Sequence, residues 1–268
     1  MVQPRDYKAV DKPKKIVNDD GNMGKPWGIA FGKDGVWAMT DSSNHCVYIF
    51  DSQDRLIRKF GTGNGLFYNP RGISFDANNC LYVVDGDNNR VQKFDVYGKY
   101  MLQFGHCGSG SGQLYDPIGI VVHNDKVFVA EGSNRRVSVF HLNAQFSHVI
   151  GSGQLSNPWG VAVTSNDQLL VADFNSGIFR FTLDGTYVDT FGDGLSWANA
   201  LTTDIHGFIL VGEQRSHCVS VFDKDGVFVH SFGSYGSAEG QFSCPRGIAV
   251  SPNNDVYVTD HYKRVQIF

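Results

Sequence analysis

The sequence lacks the segments and motifs that mark several classes of protein. No apolar run approaches the roughly 18–20 residues of a membrane-spanning helix, and the N-terminal MVQPRDYKAVDKPKK has no apolar signal core. The scattered cysteines form no C-x-x-C and no N-x-S/T acceptor occurs, which predicts a reducing, cytoplasmic setting. Neither G-x-S-x-G, H-E-x-x-H nor a glycine-rich phosphate loop is present, so no motif indicates catalysis.

Charge is also scarce. Charged residues make up 19% of the chain and the net charge is −4, which argues against gross affinity for nucleic acid and leaves the distribution of charge to decide. Glycine is abundant, with 31 residues, and aromatic residues reach 13%. This composition suits many tight turns around a core rich in aromatic rings.

One unit organises the chain and is clearest at residues 69–105. It contains four short apolar or alternating segments, GISFD, LYVVD, RVQKFD and KYMLQFG, separated by turn residues. This pattern is typical of an antiparallel meander. A single meander cannot bury both of its faces, so it must pack against copies of itself.

The unit recurs six times. A proline precedes the first strand at Pro26, Pro70, Pro117, Pro158 and Pro245, and Ala198-Asn199-Ala200 stands at the same place in a fifth, divergent copy. Five steps separate positions 26 and 245, which gives a period of about 44 residues. Six four-stranded units of this length predict an all-β fold, a six-bladed β-propeller of antiparallel blades, rather than a sandwich or a linear solenoid.

The last copy ends at Phe268 after its third strand. We expect Lys14-Lys15-Ile16-Val17 to supply the missing fourth strand and to close the ring. The prediction is one domain over residues 1–268. Its blades cover about 25–61, 69–105, 116–151, 157–192, 197–233, and 244–268 with 14–18.

The phrases NPRGISFD, LYVVDGDNNRVQKFD and CPRGIAVSPNNDVYVTDHYKRVQIF resemble the NHL repeat, which forms six-bladed propellers. The resemblance extends over residues 14–268. Many animal NHL propellers are the C-terminal part of tripartite-motif ubiquitin ligases, and others are the RNA-binding part of translational repressors. More distant six-bladed propellers are a peptide-amidating lyase and calcium-dependent hydrolases. The resemblance therefore implies a domain that selects the target of a larger protein. The cysteine spacing of a RING or B-box does not occur in this sequence.

Strand direction places the candidate site. The segment leading into the first strand and the loop between the second and third strands lie at the same end of a blade, here named the top face. Acidic residues close the second strands at Asp41, Asp85, Glu131, Asp173 and Asp260, where we expect them to accept N–H bonds from the following loop. In the fifth copy Gly212 stands in place of the acid, and Asp87, Asp116 and Glu213 are the freer acids.

The top face is predicted to bind a macromolecule, structured RNA first. Arginine and lysine neutralise phosphates, and arginine and aromatic side chains stack on bases. Arg90 and Arg264 are equally well explained as partners of the second-strand acids, whereas Arg71, Arg135, Arg136 and Arg246 have no such explanation. The candidate residues are Trp27, Arg71, Arg90, Arg135, Arg136, Trp159, Arg215, Arg246, Lys263 and Arg264.

Two alternatives stay open. The first is a surface that recruits a substrate protein, which Trp27, Ile118 and Trp159 flanked by arginines would also fit. A metal-dependent propeller lyase or hydrolase is less favoured, because His45-Cys46 and His217-Cys218 recur between blades and look like repeat consensus. No cofactor, metal or small-molecule substrate is predicted, and the isolated propeller is expected to be a monomer.

Overall fold

The computed structural model describes residues 5–10, 12–18, 21–61, 66–174 and 176–268. Within these residues it contains six sheets, each of four antiparallel strands, and short 3-10 helices at Tyr7–Ala9, Lys33–Gly35 and Gly86–Asn88. The predicted all-β six-bladed propeller is therefore confirmed. No helix in the described ranges is long and apolar enough to cross a membrane.

The strands follow the predicted repeats blade by blade. They are β2 (Pro26–Phe31), β3 (Trp37–Asp41), β4 (Cys46–Phe50) and β5 (Leu56–Phe60) in blade one; β6 (Pro70–Phe75), β7 (Leu81–Asp85), β8 (Arg90–Phe94) and β9 (Tyr100–Phe104) in blade two; β10 (Pro117–His123), β11 (Lys126–Glu131), β12 (Arg136–His141) and β13 (Phe146–Ile150) in blade three; β14 (Pro158–Val163), β15 (Gln168–Asp173), β16 (Gly177–Thr182) and β17 (Tyr187–Phe191) in blade four; β18 (Ala198–Thr203), β19 (Ile209–Glu213), β20 (Cys218–Phe222) and β21 (Phe228–Phe232) in blade five; and β22 (Ile248–Val250), β23 (Val256–Asp260), β24 (Arg264–Ile267) and β1 (Lys15–Val17) in blade six.

The core lies between the blades. The second strands β3 and β7 are buried along their whole length, because both of their faces pack against neighbouring sheets, and this explains their continuous apolar sequence. The outermost strand β5 is largely exposed. Each apolar cluster joins two adjacent blades, as where Ile49 of blade one packs with Val83 and Phe94 of blade two.

The N-terminal strand closes the ring as predicted. Strand β1 pairs antiparallel with β24, with Lys15 opposite Ile267 and Val17 opposite Val265. An earlier segment adds a contact that the sequence did not reveal. Tyr7 is buried in the cluster between blades five and six, and its hydroxyl donates a 2.9 Å hydrogen bond to Asp204 Oδ2.

The acid that closes each second strand ties the top of its blade together. Asp85 accepts an N–H from Tyr68 at 2.7 Å, and Asp260 accepts one from Ser243 at 2.8 Å, so these bonds reach the loop before the first strand. The expected bonds from the following loop also occur, as where the N–H of Asn44 donates to Asp41 Oδ1 at 3.0 Å.

The acid position of the second strand of blade five was predicted one residue too early, at Gly212, and this was wrong. Glu213, and not Gly212, closes β19, and its buried carboxylate accepts the N–H of Ser196 at 2.8 Å. Glu213 is thus the structural acid of blade five and not a free one. Within the described chain all six blades carry this acid.

Candidate recognition surface

Six equivalent residues surround the mouth of the central channel on the top face. Each follows the recurring proline position at the start of a first strand, where the first strands of all blades converge. The six residues are Trp27, Arg71, Ile118, Trp159, Asn199 and Arg246. All of them except Arg71 line a recess of about 70 Å³.

Four aromatic rings form one row across this face, which we name the aromatic ridge. Trp27 and Trp159 come from opposite blades, and their ring centroids lie 6.3 Å apart at an interplanar angle of 25°. Phe174 stacks on Trp159 at 4.5 Å and 27°. Trp197 continues the row, with its centroid 5.1 Å from that of Phe174 at 23°. The inner rings are half-buried, and Trp197 is exposed.

Arginines lie at both ends of the ridge. The guanidinium carbon of Arg246 is 4.0 Å from the ring centroid of Trp27, and that of Arg71 is 5.8 Å from it. At the other end Arg215 approaches the Trp197 ring at 5.7 Å. Cations at these distances are attracted to the negative faces of the rings. The ridge therefore combines apolar edges with positive charge.

Arg71 and Arg246 differ in their counter-charges. Arg71 forms ion pairs with Asp116 at 2.5 Å and with Asp87 at 3.4 Å, so these two predicted free acids neutralise it. Among the described residues, no carboxylate lies within ion-pairing distance of Arg246, and its buried Nε has no hydrogen-bond partner. Burial, reinforced by the charge of Arg71, lowers the pKa of Arg246 below its ordinary value.

Three candidate arginines hold the repeat together. Arg90, Arg136 and Arg264 each begin a third strand and donate Nε–H to the acid of the second strand, at 2.7, 2.8 and 3.0 Å. Their remaining N–H groups reach backbone carbonyls, such as Ser109 O for Arg136 at 2.9 Å. Arg136 therefore does have a structural partner, Glu131, contrary to the expectation from the sequence.

The remaining candidate cations are exposed at the rim of the top face. The loops between second and third strands carry Arg135, Arg215 and Lys263. Lys25 directly precedes the first strand of blade one. Arg135 and Lys263 have left-handed backbone conformations, with φ of 55° and 61°. Their loop tips correspond to those of His45 and His217, so neighbouring blades present different side chains from one backbone position.

The two His-Cys pairs form no shared centre. His45 Nδ1 accepts the N–H of Asn69 at 3.1 Å, and His217 Nδ1 accepts that of Cys244 at 3.0 Å, so each ring fixes the adjacent loop. Burial and Glu213 raise the pKa of the Cys218 thiol to about 12, which keeps it protonated at neutral pH. No three His, Cys, Asp or Glu side chains come together as a metal site within the described chain.

Sequence reasoning placed Trp27, Trp159 and Phe174 on the top face, but Phe174 was not among the candidate binding residues, and Trp197 was missed. Phe174 directly follows the second-strand acid Asp173, and Trp197 directly precedes the first strand of blade five. Trp197 has φ of 61°, a conformation that is unfavourable for a bulky side chain and that Asn69 and Asp116 adopt in other blades. An aromatic residue at a position that favours Asn or Asp was the available signal.

Comparisons with known proteins agree with this architecture. The NHL repeat family matches residues 67–94, 155–177 and 242–268. Protein brain tumor of Drosophila melanogaster is 27% identical over 178 residues, which are 65% of this chain and 13% of that protein. The RING finger protein nhl-1 of Caenorhabditis elegans is 39% identical over 57 residues, 21% of this chain and 6% of that protein. The chain thus spans a small part of the length of the curated relatives it matches.

Solved structures share the fold. A gluconolactonase from Xanthomonas campestris superposes with a TM-score of 0.74 at 13% identity, covering 98% of this chain and 93% of the other. A streptogramin B lyase superposes with a TM-score of 0.68 at 14% identity, covering 95% and 96%. At these identities the likeness is one of fold alone. The chain is a six-bladed β-propeller that carries NHL repeats, as its sequence predicted.

Proposed function

We propose that this propeller is a non-catalytic recognition module whose top face binds a protein segment. The aromatic ridge carries this proposal, because tryptophan and arginine concentrated at the centre of one face are the usual composition of a protein-binding hot spot. The edges of Trp159 and Phe174 offer apolar contact area, and Arg71, Arg215 and Arg246 surround it.

The contacts of the ridge favour protein over RNA, which the sequence had placed first. A nucleobase stacks on the free face of an aromatic ring. Here the Trp159 ring already stacks with both Trp27 and Phe174. Arg71 is already ion-paired, and Arg90, Arg136 and Arg264 are committed to the repeat. These contacts remove much of the charge and stacking surface that the RNA hypothesis required.

RNA is the second candidate, and the rim of the top face supports it. Among the described residues, the exposed cations there form no ion pairs like those of the inner arginines. Exposed tyrosines at the same rim have solvent-accessible rings. The cations are Lys25, Arg135, Arg215 and Lys263, and the tyrosines are Tyr68, Tyr115, Tyr235 and Tyr262. A nucleic acid bound here would follow the rim rather than the ridge.

We further propose that the propeller acts within a longer protein as its targeting domain. The nematode relative is named as a RING finger protein, and the matched region is a small part of both relatives. In a ubiquitin ligase of this kind the propeller selects the protein to be modified. In a post-transcriptional regulator it selects a transcript or a protein partner.

A paired selection experiment separates the two candidates. A library of displayed random peptides and a pool of RNA hairpins are offered to the wild-type propeller, to a ridge variant and to a rim variant. The ridge variant is Trp159→Ala with Trp197→Ala, and the rim variant is Arg135→Glu, Arg215→Glu and Lys263→Glu. Tyr97→Ala and Arg58→Glu, both at exposed positions outside the top face, are the matched controls.

Peptides that bind the wild type and the controls but not the folded ridge variant support protein recognition. RNA binding that steepens at low salt and disappears in the rim variant supports the second candidate. Selections that return no ligand for the top face, or ligands that both variants retain, contradict the proposal.

A further inference from the structure

A half-buried cation, Arg246, lies at the mouth of the central channel. Among the described residues it has no salt-bridge partner, while the equivalent Arg71 has two, and its buried Nε has no hydrogen-bond partner. Its guanidinium carbon lies 4.0 Å from the centroid of the Trp27 ring. Partial removal of a charge from water without a partner is costly, and a bound group that supplies the missing charge would offset that cost.

Other polar groups around Arg246 are also incompletely bonded. Within the described chain, Arg71 Nε, His261 Nε2 and Asn199 Oδ1 are buried without a hydrogen-bond partner. Arg246 lowers the pKa of His261, in addition to the effect of burial, so the two groups are close enough to interact. Of these residues, Arg246 and Asn199 line the recess. The guanidinium of Arg246 is therefore the donor that a ligand in the recess meets, and it favours a ligand that accepts hydrogen bonds.

The recess has room for a small ligand group. Its volume of about 70 Å³ exceeds the roughly 10–15 Å³ that one water molecule needs, so a carboxylate group can enter it. The recess wall is formed by Trp27, Ile118 and Trp159 beside Arg246, so it offers apolar surface to the carbons that carry the carboxylate.

We propose that the recess binds one carboxylate of a partner protein, from an acidic side chain or a chain terminus, and that Arg246 is its direct counter-ion. The planar guanidinium matches a carboxylate with two parallel hydrogen bonds. This inference rests on the proposed function, because it assigns the central anchor of the protein segment that crosses the aromatic ridge.

A phosphodiester suits the lining less well. It carries two polar sugars, whereas Trp27, Ile118 and Trp159 offer apolar surface that suits the methylene groups of glutamate. The lining of the recess therefore favours a carboxylate.

The test uses small probes on the purified propeller at constant ionic strength. Propionate, its uncharged analogue propionamide and inorganic phosphate are titrated while tryptophan fluorescence and the melting temperature are followed. Trp27 and Trp159 line the recess, so occupancy alters their emission. We expect a saturable response to propionate and none to propionamide. Arg246→Gln should weaken propionate binding about tenfold or more, and the exposed-site control Arg58→Gln should leave it unchanged.

Two further measurements guard against a folding artefact. Arg246→Gln removes a half-buried charge that has no carboxylate partner among the described residues, so it should melt no lower than the wild type. Arg246→Lys keeps the charge without the planar fork and should retain weakened propionate binding. If neither variant folds, the difference between propionate and propionamide on the wild type decides alone.

Equal responses to propionate and propionamide, no saturable response, or undiminished binding by folded Arg246→Gln would overturn the inference. Phosphate binding tighter than propionate would overturn the choice of carboxylate. The outcome is separable from that of the proposed function. Peptide binding at the ridge without propionate binding rejects only the recess, and propionate binding without any peptide rejects only the protein-recognition function.

Discussion

Ala200 on the first strand of blade five lies opposite Gly212 on the second strand. In the other blades the glycine is on or directly before the first strand and the residue with a side chain is on the second. In blade four the corresponding pair is Gly160 opposite Ala172. A glycine is required on most first strands because the neighbouring blade is so near. A Cβ on Gly119, for example, would lie 2.1 Å from the carbonyl oxygen of Trp159. In blade five, the absence of a side chain at Gly212 therefore compensates for the extra Cβ of Ala200.

This exchange predicts a coupled pair of substitutions. A Cβ on Gly212 would lie 3.2 Å from both the Ala200 Cβ and Asn199 Oδ1, which is tighter than an ordinary contact. We expect Gly212→Ala to lower the free energy of unfolding by about 1–3 kcal/mol through overpacking. Adding Ala200→Gly should recover most of that loss. Urea denaturation of the single and double variants measures this, and strictly additive effects would show that the residues are not coupled.

Ring closure predicts a large effect for a short deletion. Removal of residues 1–18 takes away β1 and the buried Tyr7 and Val10, and it leaves the edge of β24 unpaired. We expect the melting temperature of the whole propeller to fall, because each blade packs against two neighbours. Lys14→Ala, which removes an ion pair at an exposed lysine, is the control and should change little. A deletion variant that melts like the wild type would refute the closure role of β1.

The adjacent residues Arg135 and Arg136 of blade three are predicted to have different roles, Arg136 in stability and Arg135 in binding. Arg136 is paired with the fully buried Glu131, whereas Arg135 is exposed at the loop tip. Arg136→Gln should destabilise the fold by about 3–5 kcal/mol, because it leaves the buried carboxylate of Glu131 without its positive counter-charge. Arg135→Gln should change stability by less than about 0.5 kcal/mol. Denaturant titrations of both variants make the comparison, and similar losses would contradict it.

Two histidines predict a dependence of stability on pH. Burial lowers the pKa of His148 and His261, with Lys126 and Arg246 respectively adding to the effect. Below the ordinary histidine pKa of about 6.5 the unfolded chain binds protons that the folded chain resists, so stability should fall as the pH drops through this range. The melting temperature should therefore decrease from pH 7.5 to pH 5.5. His261→Gln should flatten part of that slope, and an unchanged slope would exclude its contribution.

The repeat made the fold readable from the sequence. Prolines, glycines and second-strand acids mark the same point of every blade, so the number of blades, their strands and the closing segment Lys15–Val17 followed from one unit. Positions that depart from the repeat were harder to predict. The shift that aligned Gly212 instead of Glu213 arose because blade five has lost the proline and the glycine that fix the alignment elsewhere.

The recognition surface was only partly predictable. The residues after each proline were placed at the channel mouth, but the contact of Trp27 with Trp159 joins opposite blades and has no signature in the linear sequence. The same limit applies to charge. Sequence position alone did not distinguish Arg136, which is ion-paired to the repeat, from Arg246, which has no carboxylate partner among the described residues.

Pairing of β1 with β24 also fixes the direction in which the chain leaves the propeller. Lys15 lies opposite Ile267, and Arg5 reaches the carbonyl of Asn254 in the turn between β22 and β23. The start of β1 and the end of β24 therefore both lie on the face opposite the aromatic ridge. A neighbouring domain, an affinity tag or a solid support attached at either end consequently leaves the ridge pointing outward and unobstructed.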